Sequence, residues 1–381
     1  SSTSRGLGDV YKRQDYDQAM YAYEQLLKEP EATIPLRTAS LLTLAQLNLV
    51  KANWDKGIRL ILQWMDEVET VTAQSYYLLA SAYFQKEDYV RARSSMEEAI
   101  SLAEEEGYRP RENWYVLLAA CFNELKDRKI ISAAYSLEQQ LGIYEILVNY
   151  YPKKLYFLQL GGTYQQMDRE EDYMITLKAA FDKDLLDKEG EYLALAQLLL
   201  ISKNPYWAAQ VLVAGQNKKV LIENKETKKE ELVPVLKDTE KNLKLLADSW
   251  RMAQEIDMAI PVLEKAAKMS KEGDTYVLLG NLYLFEDRIK DSIRAIEAGL
   301  KKAKVKSRSQ AQLVLGQAHF ELENFDEAKK QFRAAARDKD KRIKKTANSW
   351  IKYAENEEVR VKNLALRRDF IQQSQAKAKS S

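Results

Sequence analysis

The sequence predicts an all-α protein built as an α-solenoid, a stack of about eight helix pairs closed by a C-terminal capping helix. Three observations predict it. Turn formers are scarce, with Gly 13 and Pro 7 in 381 residues, about 5% where about 12% is usual, which leaves few breaks between helices. Hydrophobic residues at 46% and charged residues at 30% supply a continuous core under a solvated exterior. A leucine followed by a small residue recurs along the chain at a period near that of two-helix repeats, about 34 residues.

Residues 1–14, SSTSRGLGDVYKRQ, carry no apolar periodicity and read as a non-native or disordered leader. They lack the basic start, apolar stretch and small-residue cleavage site of a secretory signal. Asp15 to Lys28 place Ala19, Tyr23 and Leu26 at the spacing of a second helix, so the native chain is expected to start upstream of this point. The repeats then run in order. The first has Leu44-Ala45 with Gly57, Ile61 and Trp64, and the next has Leu79-Ala80 with Tyr83, Ala92, Met96 and Ala99. Leu118-Ala119 goes with Phe122, Leu160-Gly161 with Tyr164, Leu177 and Ala180, and Leu195-Ala196 with Ala208, Leu212 and Gly215. Leu246-Ala247 is followed by Trp250, Ala259, Leu263 and Ala266, and Leu279-Gly280 by Tyr283, Ser292, Ile296 and Gly299. The sharpest copy is Leu315-Gly316 with His319, Ala328, Phe332 and Ala335. Each small residue is expected where the two helices of a pair cross, with the large apolar residue filling the neighbouring hole.

The small residues are 35, 39, 42, 35, 51, 33 and 36 positions apart. Added length is therefore expected near 130–140, as a longer helix or an extra turn, and at 217–241, as an edge loop with a short extra helix or a docking element. The solenoid is expected to span 15–341. Residues 342–358 read as a capping helix, with Ala347, Trp350, Ile351 and Ala354 on one face. Residues 359–381 read as a basic, frayed tail.

Chemistry is sparse. Lys+Arg 59 against Asp+Glu 57 gives +2, no global field for nucleic acid or an anionic membrane. One cysteine and one histidine make neither a disulfide nor a Cys/His metal site. His319 stands at an inter-helix aromatic position and reads as a satisfied core histidine, and Cys121 as a buried thiol. Glu104 to Glu106 read as a helix end. Neither Gly6-x-Gly8 nor Gly161-Gly162 continues as a phosphate loop. No catalytic residue, metal or cofactor is expected. No apolar run approaches the roughly 18 residues of a membrane span, and the basic run Lys301, Lys302, Lys304, Lys306 and Arg308 is either a solvated helix end or a peripheral membrane contact.

The pattern in QLVLGQAHFELENFDEAKKQFRAA and its copies resembles the tetratricopeptide family. That resemblance implies a right-handed superhelix whose first helices line a concave groove, with groove positions at Gln74, Tyr77, Ser81, Phe84, Asn113, Asn123, Gln165, Gln197, Lys241, Lys244, Asp248, Arg251, Asn281, Gln310, Gln317 and Phe320. Amides and aromatics suit an extended or helical polypeptide partner, so a non-enzymatic protein-interaction scaffold is expected. Lys244, Asp248 and Arg251 form either a self-paired patch or an anchor for an acidic group. The lysine clamp of co-chaperone domains is absent, since Val277, Leu44 and Ala119 stand four before Asn281, Asn48 and Asn123. PKKLYFLQLGGTYQQMDRE and GNLYLFEDRIKDSIRAIEAGLKKAKVK are further similar to the repeat protein encoded beside the TonB, ExbB and ExbD genes of Gram-negative bacteria. That similarity implies a periplasmic accessory of TonB-dependent siderophore or nutrient uptake, with TonB, ExbB or ExbD components as partners. The alternatives are a membrane-associated solenoid and a generic cytoplasmic scaffold.

Overall fold

The computed structural model describes residues 15–223, 228–302 and 304–380, with side chains to residue 376. The leader at 1–14 lies outside the described residues. The chain is an all-α solenoid of helix pairs. After a helix over 15–26 (α1), the first pair is α2 (Ile34–Val50) with α3 (Trp54–Glu67), followed by α4 (Ala73–Gln85) with α5 (Tyr89–Glu105). Then come α6 (Glu112–Asp127) with α7 (Ala133–Tyr150), α8 (Lys154–Gln166) with α9 (Glu170–Asp182), and α10 (Glu189–Ile201) with α11 (Pro205–Asn217). After a hairpin the series resumes with α12 (Glu240–Met252) and α13 (Ile256–Met269), α14 (Asp274–Phe285) and α15 (Ile289–Lys301), and α16 (Arg308–Glu321) and α17 (Phe325–Ala335). The last element is α18 (Lys341–Ser380). The chain divides into two compact units between Leu185 and Leu186, each with four helix pairs among the described residues.

The crossings lie where small residues demand them. A Cβ on Gly280 would sit 2.3 Å from Ile296 Cγ1, and one on Gly316 2.5 Å from Phe332 Cε1. A Cβ on Gly161 would meet the Tyr173 ring at 2.9 Å. Ile296 and Phe332 are fully buried, so neither can swing out to make room.

The turn inside each pair has one construction. A non-glycine residue at left-handed φ, between 55° and 65°, ends the first helix: Ala52, Glu87, Lys129, Asp168, Lys203, Gln254, Asp287 and Glu323. The next amide reaches back to the helix, as Asp88 N does to Tyr83 O at 2.9 Å and Arg288 N to Tyr283 O at 2.8 Å. That closure satisfies carbonyls otherwise left open at the helix end. The left-handed residue lies seven positions after the small residue in seven pairs, and ten after Ala119 in the third. Part of the extra length expected at 130–140 is therefore an extension of α6, and part makes α7 an 18-residue helix.

Two expectations are corrected. The described residues within 217–241 form no extra helix but an antiparallel hairpin, β1 (Lys219–Glu223) with β2 (Glu230–Pro234), in which Leu221 faces Leu232 and Val220 faces Val233. Its base is fastened by Leu236 N to Gly215 O at 2.9 Å, with Val235 and Leu236 buried. The aliphatic runs Val-Leu-Ile and Leu-Val favour extended pairing over a helical stripe. The tail after 358 is also not frayed: it continues the capping helix as one 40-residue element. No glycine or proline stands within it to stop propagation. Ala347 and Ala354 are buried against α17 and the Trp350 ring stacks on Phe332 at 5.5 Å.

Candidate functional site

All the sequence-derived groove positions lie on first helices: four on α4, two on α6, one each on α8, α10 and α14, four on α12 and three on α16. Their surroundings differ. On α4 and α6, the Tyr77 ring stacks on Trp114 with centroids 5.5 Å apart, and Asn113 Nδ2 donates to the Tyr77 hydroxyl at 2.7 Å. This aromatic step borders a hollow of about 250 Å³ lined by Gln74, Arg109, Arg111 and Trp114 among others. The Ser81 hydroxyl bonds back to Tyr77 O at 2.8 Å, and Phe84 meets the edge of Tyr89.

Several predicted positions are spent on the fold. Asn123 Oδ1 accepts from Gln140 Nε2 at 2.9 Å and from Lys126 at 3.3 Å, which ties it to α7 rather than leaving it for a ligand. Phe320 lies under the capping helix, stacked on Tyr353 at 5.1 Å and edge-on to Trp350 and Phe325. In α12, Arg251 pairs with Asp248 at 3.2 Å and Lys244 with Glu240 at 2.9 Å. Both are one-turn pairs along the same helix, so the charged cluster is self-paired. Asn281 is half-buried, with its Oδ1 lacking a hydrogen-bond partner.

The free capacity is in the amides. Gln74, Gln165, Gln197 and Gln310 are exposed on α4, α8, α10 and α16, and no hydrogen bond engages their side chains among the described residues; Lys241 is likewise exposed, and Gln317 is half-buried. A carboxamide offers both donor and acceptor to a peptide main chain.

The remaining candidates have structural places. Cys121 is fully buried, and burial pushes its thiol up to about 12, which leaves it protonated and unreactive near neutrality. His319 is not the satisfied core histidine expected: it is half-buried, and its Nδ1 has no protein partner. Burial lowers its pKa below 6.5, against the pull of Glu327 and Glu297. Of the basic run, Lys302 Nζ is committed to Ser270 O at 2.5 Å and Arg308 to Leu300 O at 3.1 Å, so only part of that edge faces outward. Among the described residues no group of three or more His, Cys, Asp and Glu is placed to hold a metal ion, and no helix is long and apolar enough to cross a membrane.

Sequence reasoning missed a recurrent polar quartet. The Tyr164 hydroxyl donates to Glu145 of the preceding second helix at 2.7 Å; Arg169 lies 4.7 Å over the Tyr164 ring and donates to Asp172 at 2.7 Å. In the second unit Tyr283, Glu264, Arg288 and Asp291 repeat these contacts, with Arg288 4.4 Å over the ring. Burial and the carboxylate bond push both phenols up to about 12. All four residues are displaced by the same 119 positions, a signal that was present in the sequence.

The tetratricopeptide-repeat family matches this chain at residues 73–106 and 277–342, which are α4–α5 and α14 through α17. No curated protein matches it. Among solved structures, MamA is similar at 19% identity over 46% of this chain and 91% of its own, with a TM-score of 0.35. The TPR2AB domain of yeast Sti1 in its pHSP90 complex is similar at 11% identity over 74% of this chain and 97% of its own, with a TM-score of 0.37. A tetratricopeptide repeat protein from Parabacteroides merdae is similar at 13% identity over 73% and 98%, with a TM-score of 0.29.

Proposed function

We propose that the protein is a non-enzymatic interaction scaffold whose first-helix faces hold an extended or helical segment of a partner protein. The observation that carries this reading is that each unit presents exposed glutamines with unengaged side chains on its first helices, Gln74 and Gln165 in the first, with the Tyr77–Trp114 aromatic step beside Gln74, and Gln197 and Gln310 in the second. Amides pair with a partner's main chain and aromatics add buried area. The structural devices all serve to fix helix pairs in place, which suits a surface that recognises by shape. Tyr77→Ala with Gln74→Ala is expected to weaken partner binding while leaving the helical circular dichroism unchanged. Unaltered binding would refute this face.

The finer reading is that the partner belongs to a TonB-dependent uptake complex and that the protein acts in the periplasm as an accessory of siderophore or nutrient import. Its support is the sequence resemblance quoted above. In-cell crosslinking tests it: recovery of TonB, ExbB or ExbD supports it, and recovery of cytoplasmic proteins alone leaves the generic scaffold. A membrane-associated solenoid using Lys301, Lys302 and Lys304 has less to rest on, because Lys302 is bound to a carbonyl and lies 4.8 Å from the Tyr276 ring.

A further inference from the structure

The C-terminal helix does two different things along its length. Up to Val361 its inner face packs on α17 and α16 through Ile343, Ala347, Trp350, Ile351 and Ala354. Beyond that point every side chain from 362 to 376 is exposed, and the packing face runs on into Ala365, Arg368 and Gln372. At about 1.5 Å per residue the free part projects roughly 25 Å. A helix polar all round would explain itself as a solvated extension, but this one carries Leu364, Leu366, Phe370 and Ile371 in the open, with Leu366 67% and Phe370 70% exposed.

Charge and geometry narrow what covers these residues. α18 holds eleven Lys and Arg against four Asp and Glu, although the whole chain is only +2, so the helix is basic on an otherwise acidic protein. Glu357 and Glu358 engage Arg360 and Lys362, while Arg367 and Arg368 have no acidic partner among the described residues. A second copy of α18 would bring like charge to like charge. At 100° per residue, Val359, Leu366 and Phe370 form one apolar line, and Leu364 and Ile371 form another, roughly 130° around the helix. Arg360 and Arg367 fall between the two lines. A planar bilayer cannot take both lines without burying those guanidinium groups, whereas a groove grips a helix from two sides and leaves its cations at the rim.

We propose that the free part of α18 is itself a ligand, a basic helix that inserts into an acid-rimmed, apolar groove of another protein. This is independent of the first-helix face, where the protein is the receptor. The test uses the full chain with calcium-loaded calmodulin as a probe, an acidic protein whose apolar groove closes around basic helices. The expected result is a one-to-one complex at about micromolar affinity. It should weaken about tenfold or more on Leu366→Ala with Phe370→Ala, and again on Arg367→Gln with Arg368→Gln. Both double variants change exposed residues and keep good helix formers, and helical circular dichroism checks that α18 persists. Absence of a complex, or affinity indifferent to both variants, overturns the proposal. So does flotation with phosphatidylglycerol vesicles that the same variants abolish, which would assign the helix to a membrane. Concentration-dependent dimerisation lost in Leu366→Ala with Phe370→Ala would assign it to a second copy.

Discussion

The Tyr164 hydroxyl donates to the carboxylate of Glu145, 2.7 Å away on the helix before it, and Tyr283 makes the same bond to Glu264. The bond joins the second helix of one repeat to the first helix of the next. Tyr164→Phe and Tyr283→Phe should each lower stability by about 0.5–1.5 kcal/mol, the net worth of a partly solvated hydrogen bond. Urea denaturation of each variant measures it, and midpoints equal to the parent's would show that water replaces the phenol at no cost.

Two adjacent glycines should respond oppositely. A Cβ at Gly161 collides with the Tyr173 ring at 2.9 Å, while at Gly162 it meets nothing within 4 Å. Gly162→Ala is expected to stabilise α8 by about 0.5–1 kcal/mol through backbone entropy. Gly161→Ala should destabilise it, and Gly280→Leu should cost about 1–3 kcal/mol by overpacking against Ile296. Thermal melts separate the three, and a Gly280→Leu protein melting with the parent would break the assigned crossing.

His319 gives the fold a dependence on mildly acidic pH. Burial holds its folded pKa below the unfolded 6.5, so in that window the unfolded chain binds the proton that the folded one refuses. Stability is therefore full above 6.5 and declines as pH falls below it, towards the folded pKa. His319→Phe should flatten that limb in denaturation curves taken at successive pH values. An unchanged slope would assign the dependence to other groups.

The capping helix should loosen at lower pH for a different reason. Lys329 and then Lys362, bonded at 2.7 and 2.6 Å, pull the Glu358 carboxyl down to about 2 from 4.5. The stabilisation is present above 4.5 and disappears as pH falls through the folded value near 2. Protection of the α18 amides against hydrogen exchange, taken relative to the intrinsic rate at each pH, should fall over that range in the parent. In Glu358→Gln the exchange should already be faster at neutral pH and lose this pH response, and a variant that retains the full response would contradict the assignment.

The repeat register was legible because its cause is local: a small residue and its large neighbour lie within one helix pair, and the pattern repeats often enough to fix its phase. The turns were not, because Glu87, Asp168 and Asp287 take a left-handed conformation without the glycine that usually announces one. The hairpin at 219–234 needed pairing across the chain, and its five-residue runs are too short to declare a period. The continuation of α18 was masked by its polarity, although nothing in it breaks a helix. At the site, helical phase placed the counted residues on the first helices, but phase says nothing about partners. Asn123 is taken by Gln140 and Phe320 by Tyr353, residues outside the stripe that was counted, while Asp248 and Arg251, both inside it, take each other.

Site-specific photocrosslinking in living cells tests the scaffold reading most directly. Benzoyl-phenylalanine would replace Gln74, Gln197 or Gln310 on the first helices, and Glu98 or Lys268 on the second helices, in otherwise intact protein. The account predicts protein adducts from the three first-helix positions and none from the two second-helix positions. Adducts confined to Glu98 and Lys268, or none from any first-helix position, would contradict it.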